Sequence, residues 1–199
     1  RGIVVIVPMK PLNLCKSRLA DALTSDRQVA LSVGLLEGVI CAALESPVAS
    51  VWIVGGDAGV VDVADRMGVQ WLDDDGIGLN NALARAFQQA YRLELVPMYL
   101  PADLPFVSSD DIAGAVEISK CGEVIMLAPA SRDNGTNAVL TPIDSPFHPN
   151  LGAGSFNRQK NSPVSVEPPF SAGTIMKLRR LVSLSRKRPN TQPHIRLFV

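Results

Sequence analysis

Residues 3–8 read Ile-Val-Val-Ile-Val-Pro, an unbroken apolar and mostly β-branched run. Such a run is too short for a buried helix, and it lacks the polar alternation of a half-exposed strand. It fits a central strand buried on both faces, which requires helices above and below a largely parallel sheet. Met9-Lys10-Pro11-Leu12-Asn13 ends it, because Pro11 cannot donate to a ladder and biases Lys10 away from helix.

The rest of the chain repeats this alternation. A long helix is predicted from Ser25, with Gln28 as its capping-box partner and Pro47 beyond its end; it is apolar over most of its surface. Strand 51–54 stops at Gly55-Gly56-Asp57, helix 60–67 follows, and strand 69–72 runs into Asp73-Asp74-Asp75-Gly76-Ile77-Gly78. Helix 79–91 carries Leu83, Ala86, Phe87 and Ala90 on one stripe, and strand 96–100 breaks at Pro101. Ser108 and Asp111 form another capping-box pattern, opening a helix to about residue 119. Strands are expected at 123–128 and 138–141, a Gly-rich turn and short helix at 151–156, and one helical stretch at 174–184 within Pro-rich, basic sequence. The class is α/β: a single Rossmann-like domain with a mostly parallel central sheet and helices on both faces. Ligands in such folds sit beyond the carboxyl ends of the strands. Segments 9–19, 55–57, 73–80 and 101–105 all follow strands directly.

The 199 residues suit one domain, and the 47% hydrophobic but only 5% aromatic content suits an aliphatic core. Cys15, Cys41 and Cys121 are scattered and odd in number, so they are expected as reduced, buried thiols. No apolar run is expected to reach the ~18 residues of a membrane span, and no basic-then-apolar leader precedes the first strand; the chain is expected to be cytoplasmic. Its net charge of zero hides an asymmetry: no acid follows Glu167, whereas seven Lys and Arg do, leaving twelve basic against nineteen acidic residues before that point. No interleaved aromatic platform accompanies the basic block, which argues against nucleic acid and for a solvated tail.

Lys10, Lys16 and Arg18 share the first loop and would neutralise a polyphosphate, Arg18 bidentately; the competing reading is a solvated basic loop. There is neither a G-x-x-x-x-G-K-[ST] nor a G-x-G-x-x-G, which excludes a P-loop and a dehydrogenase-type dinucleotide site. The three acids 73–75 could ligate a hard cation, but they equally cap the next helix, and Gly76 and Gly78 would let a flat base lie against main-chain atoms. Asp103, held between Pro101 and Pro105 at a strand end, suits a Mg²⁺ ligand that bridges phosphates. Segment 131–137 gathers Arg132, two Asn, Thr136 and a glycine, and 152–156 adds main-chain donors at a helix start. Together they could hold a second phosphate. His148 and His194, each beside a proline and without partners at catalytic spacing, read as surface residues.

With these segments in view, the chain resembles the 2-phospho-L-lactate guanylyltransferase family, which acts in coenzyme F(420) biosynthesis. The resemblance runs from about residue 3 to 158. It rests on K-P-L-N-L-C-K-S-R-L, D-D-D-G-I-G-L-N-N-A-L, P-A-D-L-P, S-R-D-N-G-T-N-A and G-A-G-S-F in that order. It implies a nucleotidyltransferase domain of the nucleotide-diphospho-sugar transferase type, here residues 1–167, with 168–199 as an atypical basic tail. It implies GTP, Mg²⁺ and a small phosphorylated acid as reactants, the acid being 2-phospho-L-lactate, phosphoenolpyruvate or 3-phospho-D-glycerate; a homodimer is left open. Carried over by residue, Asp103 is the metal-binding aspartate. Thr136, Gly152 and Ser155, joined by Arg132, take the acceptor side, Lys16 and Arg18 the catalytic basic loop, and Lys10, Gly78, Leu79 and Asn80 the nucleotide side. The family's D-x-D-T-like strand end has no counterpart here. The reaction so implied is in-line attack by an acceptor phosphate oxygen on the α-phosphorus of GTP. A nucleotide-sugar glycosyltransferase using Asp73 or Asp75, and a catalytically impaired nucleotide-binding protein, are the competing readings.

Overall fold

A computed structural model describes residues 1–14, 23–130 and 133–160. Strand β1 (Ile3–Pro8) is followed by a 3-10 turn at Leu12–Leu14, then α1 (Ser25–Leu44), β2 (Ser50–Val54), α2 (Ala58–Met67), β3 (Gln70–Leu72) and α3 (Leu79–Arg92). Next come β4 (Val96–Tyr99), α4 (Ser109–Ile118), β5 (Met126–Pro129), β6 (Thr136–Leu140) and the short α5 (Ser155–Lys160). The six strands form one sheet in the order β3-β2-β1-β4-β6-β5. β1 pairs in parallel with β2 (Val5 opposite Val51) and with β4 (Val5 opposite Met98), and β2 in parallel with β3. β6 runs against both β4 and β5. The expected mostly parallel α/β sheet is therefore present.

The apolar run at 3–8 has the expected consequence. Ile3, Val5 and Val7 enter a core layer with α1, α2 and α4, while Val4 and Ile6 enter the opposite layer with α3, Trp52 and Phe147. Alternate side chains of one strand thus seed both layers. In the second layer α3 buries Leu83, Ala86, Phe87, Ala90 and Tyr91; the Phe87 and Tyr91 rings meet edge to face at 6.4 Å, and the Tyr91 hydroxyl lies 2.8 Å from Thr141 Oγ1.

Several local expectations need correction. Ser25 is the first helical residue of α1 and Thr24 its cap, without a side-chain bond; the Gln28 amide donates to the Leu23 carbonyl, so no box with Ser25 forms. The Ser108–Asp111 box does form, with both reciprocal bonds in place. The strand expected at 123 begins at Met126, because Lys120, Cys121 and Gly122 all take positive φ and unwind the end of α4 before the chain extends. Cys41 and Cys121 are exposed free thiols, not buried ones, and Cys15 lies outside the described residues. Helix α1, 20 residues long, contains an 18-residue window of mean hydropathy 1.5 and so is long and apolar enough to cross a membrane by length and composition alone. It packs here as a core helix, through Leu36, Val39, Ile40 and Ala43. The helix expected at 174–184 and the tail boundary at 168 lie outside the described residues.

Candidate active site

Because β1 to β4 are parallel, the loops that follow them emerge at one edge of the sheet. β6 is antiparallel to β4 with Tyr99 opposite Val139, so its first residue, Thr136, starts at that same edge, beside the 101–105 turn. Five candidate segments therefore converge: 9–14, 55–57, 73–80, 101–105 and 133–137. Lys10 and Asp103 stand exposed there, Asp103 in the turn between its two prolines. Lys16, Arg18 and Arg132 lie outside the described residues.

The β3 side is built by short-range bonds. Asp73 accepts from the Asp75 N–H at 2.9 Å, Asp74 from the Gly76 N–H at 3.1 Å, and Asp75 forms an ion pair with Arg85 on α3. All three carboxylates of the acidic run are thus engaged in shaping the turn. Its neighbour Gly55 has φ +79°, and a Cβ there would come within 3.0 Å of the Met9 carbonyl oxygen as well as meeting the Asp74 carboxylate, so glycine suits the close approach of the loops after β1, β2 and β3. The Gly55 carbonyl accepts from the Trp71 indole at 2.9 Å, which fastens the two loops together. Gly78, with φ +85°, then turns the chain into α3.

The candidate acceptor side is tied together by backbone. The Gly154 N–H donates to the Asp133 carbonyl (3.1 Å) and the Phe156 N–H to the Asn134 carbonyl (3.0 Å), while the Ser155 N–H donates to the Gly152 carbonyl. The donors expected to meet an anion at residues 154–156 are therefore engaged within the protein. Beneath them the Thr136 and Ser155 hydroxyls are 2.8 Å apart, both buried, and the Gln159 amide donates to the Asn150 carbonyl and, at 3.4 Å, to Thr136. Gly152 sits exposed at the tip with φ +124°, a conformation that other residues rarely adopt.

Asn80 connects the two sides. Its side-chain oxygen accepts from the Leu151 N–H at 2.8 Å, and its amide faces the Leu151 carbonyl at 3.4 Å. The residue assigned to the nucleotide turn thus grips the segment that leads into Gly152. Among residues the sequence reading passed over, Arg158 wraps the glycine turn and donates to the Ala153 carbonyl at 2.7 Å. Its place one helical turn beyond Gly154 was the available signal. Asp133, whose carboxylate accepts from the Gly135 N–H, was the other. Tyr99, at the end of β4, has its phenol pushed well above the ordinary value of 10.0, first by burial and then by the negative charge of Asp103. His148 is exposed, as expected.

The described residues contain no cluster of three or more His, Cys, Asp or Glu able to cage a metal. One exposed carboxylate, Asp103, fits a different role: Mg²⁺ commonly takes one or two protein carboxylates and completes its sphere with water and substrate phosphates.

Comparison with known proteins agrees with this architecture. The family profile described as "Guanylyl transferase CofC like" matches residues 3–161. A phosphoenolpyruvate guanylyltransferase of Chloroflexus aggregans is 33% identical over 160 residues, covering 77% of this chain and 79% of that protein. A 2-phospho-L-lactate guanylyltransferase of Methanocaldococcus jannaschii is 31% identical over 134 residues, covering 67% and 57%. Among solved structures, one described as a nucleotide-diphospho-sugar transferase from Desulfovibrio desulfuricans superposes with a TM-score of 0.59 at 14% identity, over 89% of this chain and 75% of that one, a likeness of fold alone. The chain is therefore a nucleotidyltransferase of the CofC-like guanylyl transferase family.

Proposed function

We propose that the protein transfers GMP from GTP to the phosphate of a three-carbon phosphorylated acid, in coenzyme F(420) biosynthesis. The observation that carries this reading is the family match across residues 3–161, within which the described segments 9–14, 73–80, 101–105 and 133–137 lie at one sheet edge. An oxygen of the acceptor phosphate attacks the α-phosphorus of GTP, a new P–O bond forms, the bond to the β-phosphate bridging oxygen breaks, and pyrophosphate leaves. A phosphate is nucleophilic at neutral pH, so no general base is needed, in keeping with the surface position of His148. The acceptor is 2-phospho-L-lactate, phosphoenolpyruvate or 3-phospho-D-glycerate; the first two are what the relatives are named for.

In this reading Lys10, Gly78 and Leu79 lie on the nucleotide side, and Thr136, Gly152 and Ser155 on the acceptor side. Because Thr136 and Ser155 hold each other in the interior, they support the shape of the acceptor loop, and Asn80 fixes that loop against the nucleotide turn. Asp103 would hold Mg²⁺, which supplies charge neutralisation at the phosphates. Lys16, Arg18 and Arg132 keep the roles that family resemblance gives them. Orientation of two anionic reactants and shielding of their mutual repulsion are the main tasks, as in other phosphoryl transfers. The test is pyrophosphate release from GTP with each of the three acids in turn, with the guanylylated product identified by mass. Release with none of them, by a protein that binds GTP, would refute the proposal.

A further inference from the structure

On the acceptor side, the donors that could meet an anion directly already have partners within the chain. The N–H groups of Gly154, Ser155 and Phe156 are engaged by the carbonyls of Asp133, Gly152 and Asn134. The Thr136 and Ser155 hydroxyls are buried against each other. Among the described residues of this side, 133–137 and 150–160, the cations are Arg158 and Lys160. They stand two residues apart on α5, which sets them roughly 200° apart around the helix, so they face different ways.

Arg158 faces the glycine turn. Its Nη1 donates to the Ala153 carbonyl at 2.7 Å. Cβ atoms placed at Gly154 and Gly152 would lie 3.5 Å from its Nη1 and 3.8 Å from its Nη2, so the guanidinium lies across the turn and no side chain there crowds its terminal nitrogens. A guanidinium carries five N–H donors, and the bond to Ala153 orients this one without neutralising it. No carboxylate pairs with Arg158 among the described residues. Asp133, whose carbonyl holds Gly154, directs its carboxylate to the Gly135 N–H instead.

We propose that Arg158 is a specificity-determining residue that recognises the carboxylate of the phosphorylated acid, an inference that rests on the acceptor reading given above. The phosphate of that acid is the group that approaches GTP, and the carboxylate is the anion that remains. All three acids named as acceptors carry one. The fork of a guanidinium matches a carboxylate with two parallel N–H···O bonds, whereas a lysine offers a point charge.

The test compares the full-length wild type, Arg158→Gln and Arg158→Lys in pyrophosphate release with each acid. It adds competition by ethyl phosphate, which is 2-phospho-L-lactate without its carboxylate. Circular dichroism should be the same for all three proteins, because Arg158 is exposed. Arg158→Gln should raise KM for the acid by about tenfold to a hundredfold, the scale of a lost hydrogen bond to a charged group. Its kcat and its KM for GTP should be little changed, since the carboxylate is held equally before and during the reaction. Arg158→Lys should recover part of the loss, because it keeps the charge but not the fork. The inhibition constant of ethyl phosphate should be equal in the three proteins, as that molecule offers Arg158 nothing to hold. If Arg158 only braces the glycine turn through Ala153, ethyl phosphate and the acid will weaken together, and the proposal is overturned. An unchanged KM for the acid in Arg158→Gln overturns it too, while leaving the acceptor reading intact. A wild type that turns over none of the acids refutes the acceptor reading itself, and the role of Arg158 with it.

Discussion

At the scale of single residues, the site separates groups that face outward from groups that hold them. Asp103 is an exposed carboxylate on a proline-bracketed turn, so removing its charge should not disturb the core. Asp103→Asn is expected to lower the rate of pyrophosphate release by about a hundredfold or more, the usual scale for losing a charge-stabilising group, with an unchanged circular dichroism spectrum. Activity retained near the original level would remove Asp103 from the mechanism. Ser155 and Thr136 are different, because each is buried and bonded to the other. Ser155→Ala leaves the Thr136 hydroxyl short of a partner and should cost about 1–3 kcal/mol of stability, measured by urea unfolding. It should also raise KM for the phosphorylated acid while GTP affinity stays constant; an equal loss for both substrates would show that the division of the two sides is wrong. Tyr99 gives a pH signature. Its folded pKa is raised, so its contribution is fully present below the unfolded value of 10.0 and is lost as pH rises beyond it, when only the unfolded chain ionises freely. Tyr99→Phe should therefore flatten the fall in stability above about pH 10. The sequence marked these positions but not how they are held. Asn80 illustrates the reason: its partner Leu151 is 71 positions away, and only the folded sheet brings them together.

At the scale of elements, legibility followed the range of the forces involved. The buried strand at 3–8 and the α4 cap are local patterns, and both were readable. In α4 the Ser108 side chain accepts from the Asp111 N–H while the Asp111 carboxylate accepts from the Ser108 N–H, which satisfies two otherwise open donors. Ser108→Ala is expected to lower stability by about 1 kcal/mol, read as a shift in the urea midpoint without a change in slope; a shift within error would mean that the cap is redundant. The same sequence pattern at Ser25 and Gln28 did not form a box, because the Gln28 amide turns back to the Leu23 carbonyl. Local motifs thus name candidates, and competing partners decide among them. The exposure of Cys41 is a second case: cysteine favours the interior on average, but position 41 falls on the face of α1 opposite the sheet.

At the scale of the whole molecule, the sheet is a wall shared by two apolar layers, and the candidate active edge is where the loops that follow its parallel strands meet. Alternate residues of β1 serve opposite layers, so neither layer can open without exposing the other side of the same strand. The candidate acceptor loop is anchored in the α3 layer through Leu151, so such coupling would hold it in register with the loops that follow β1 and β2. It predicts one cooperative unfolding transition. The two tryptophans make the test direct, since Trp52 is buried in the α3 layer and Trp71 packs against the layer of α1, α2 and α4. Single-tryptophan variants, Trp71→Phe and Trp52→Phe, should therefore report their respective layers with coincident urea midpoints once each is normalised to its own stability measured by circular dichroism. Leu36→Ala in the first layer and Leu83→Ala in the second should each cost about 2–5 kcal/mol, and each should shift the fluorescence transition of the opposite layer as much as its own. A substitution that moved only the tryptophan on its own side would show that the layers unfold separately. The convergence of loops at the active edge would then need a source of rigidity other than the shared sheet.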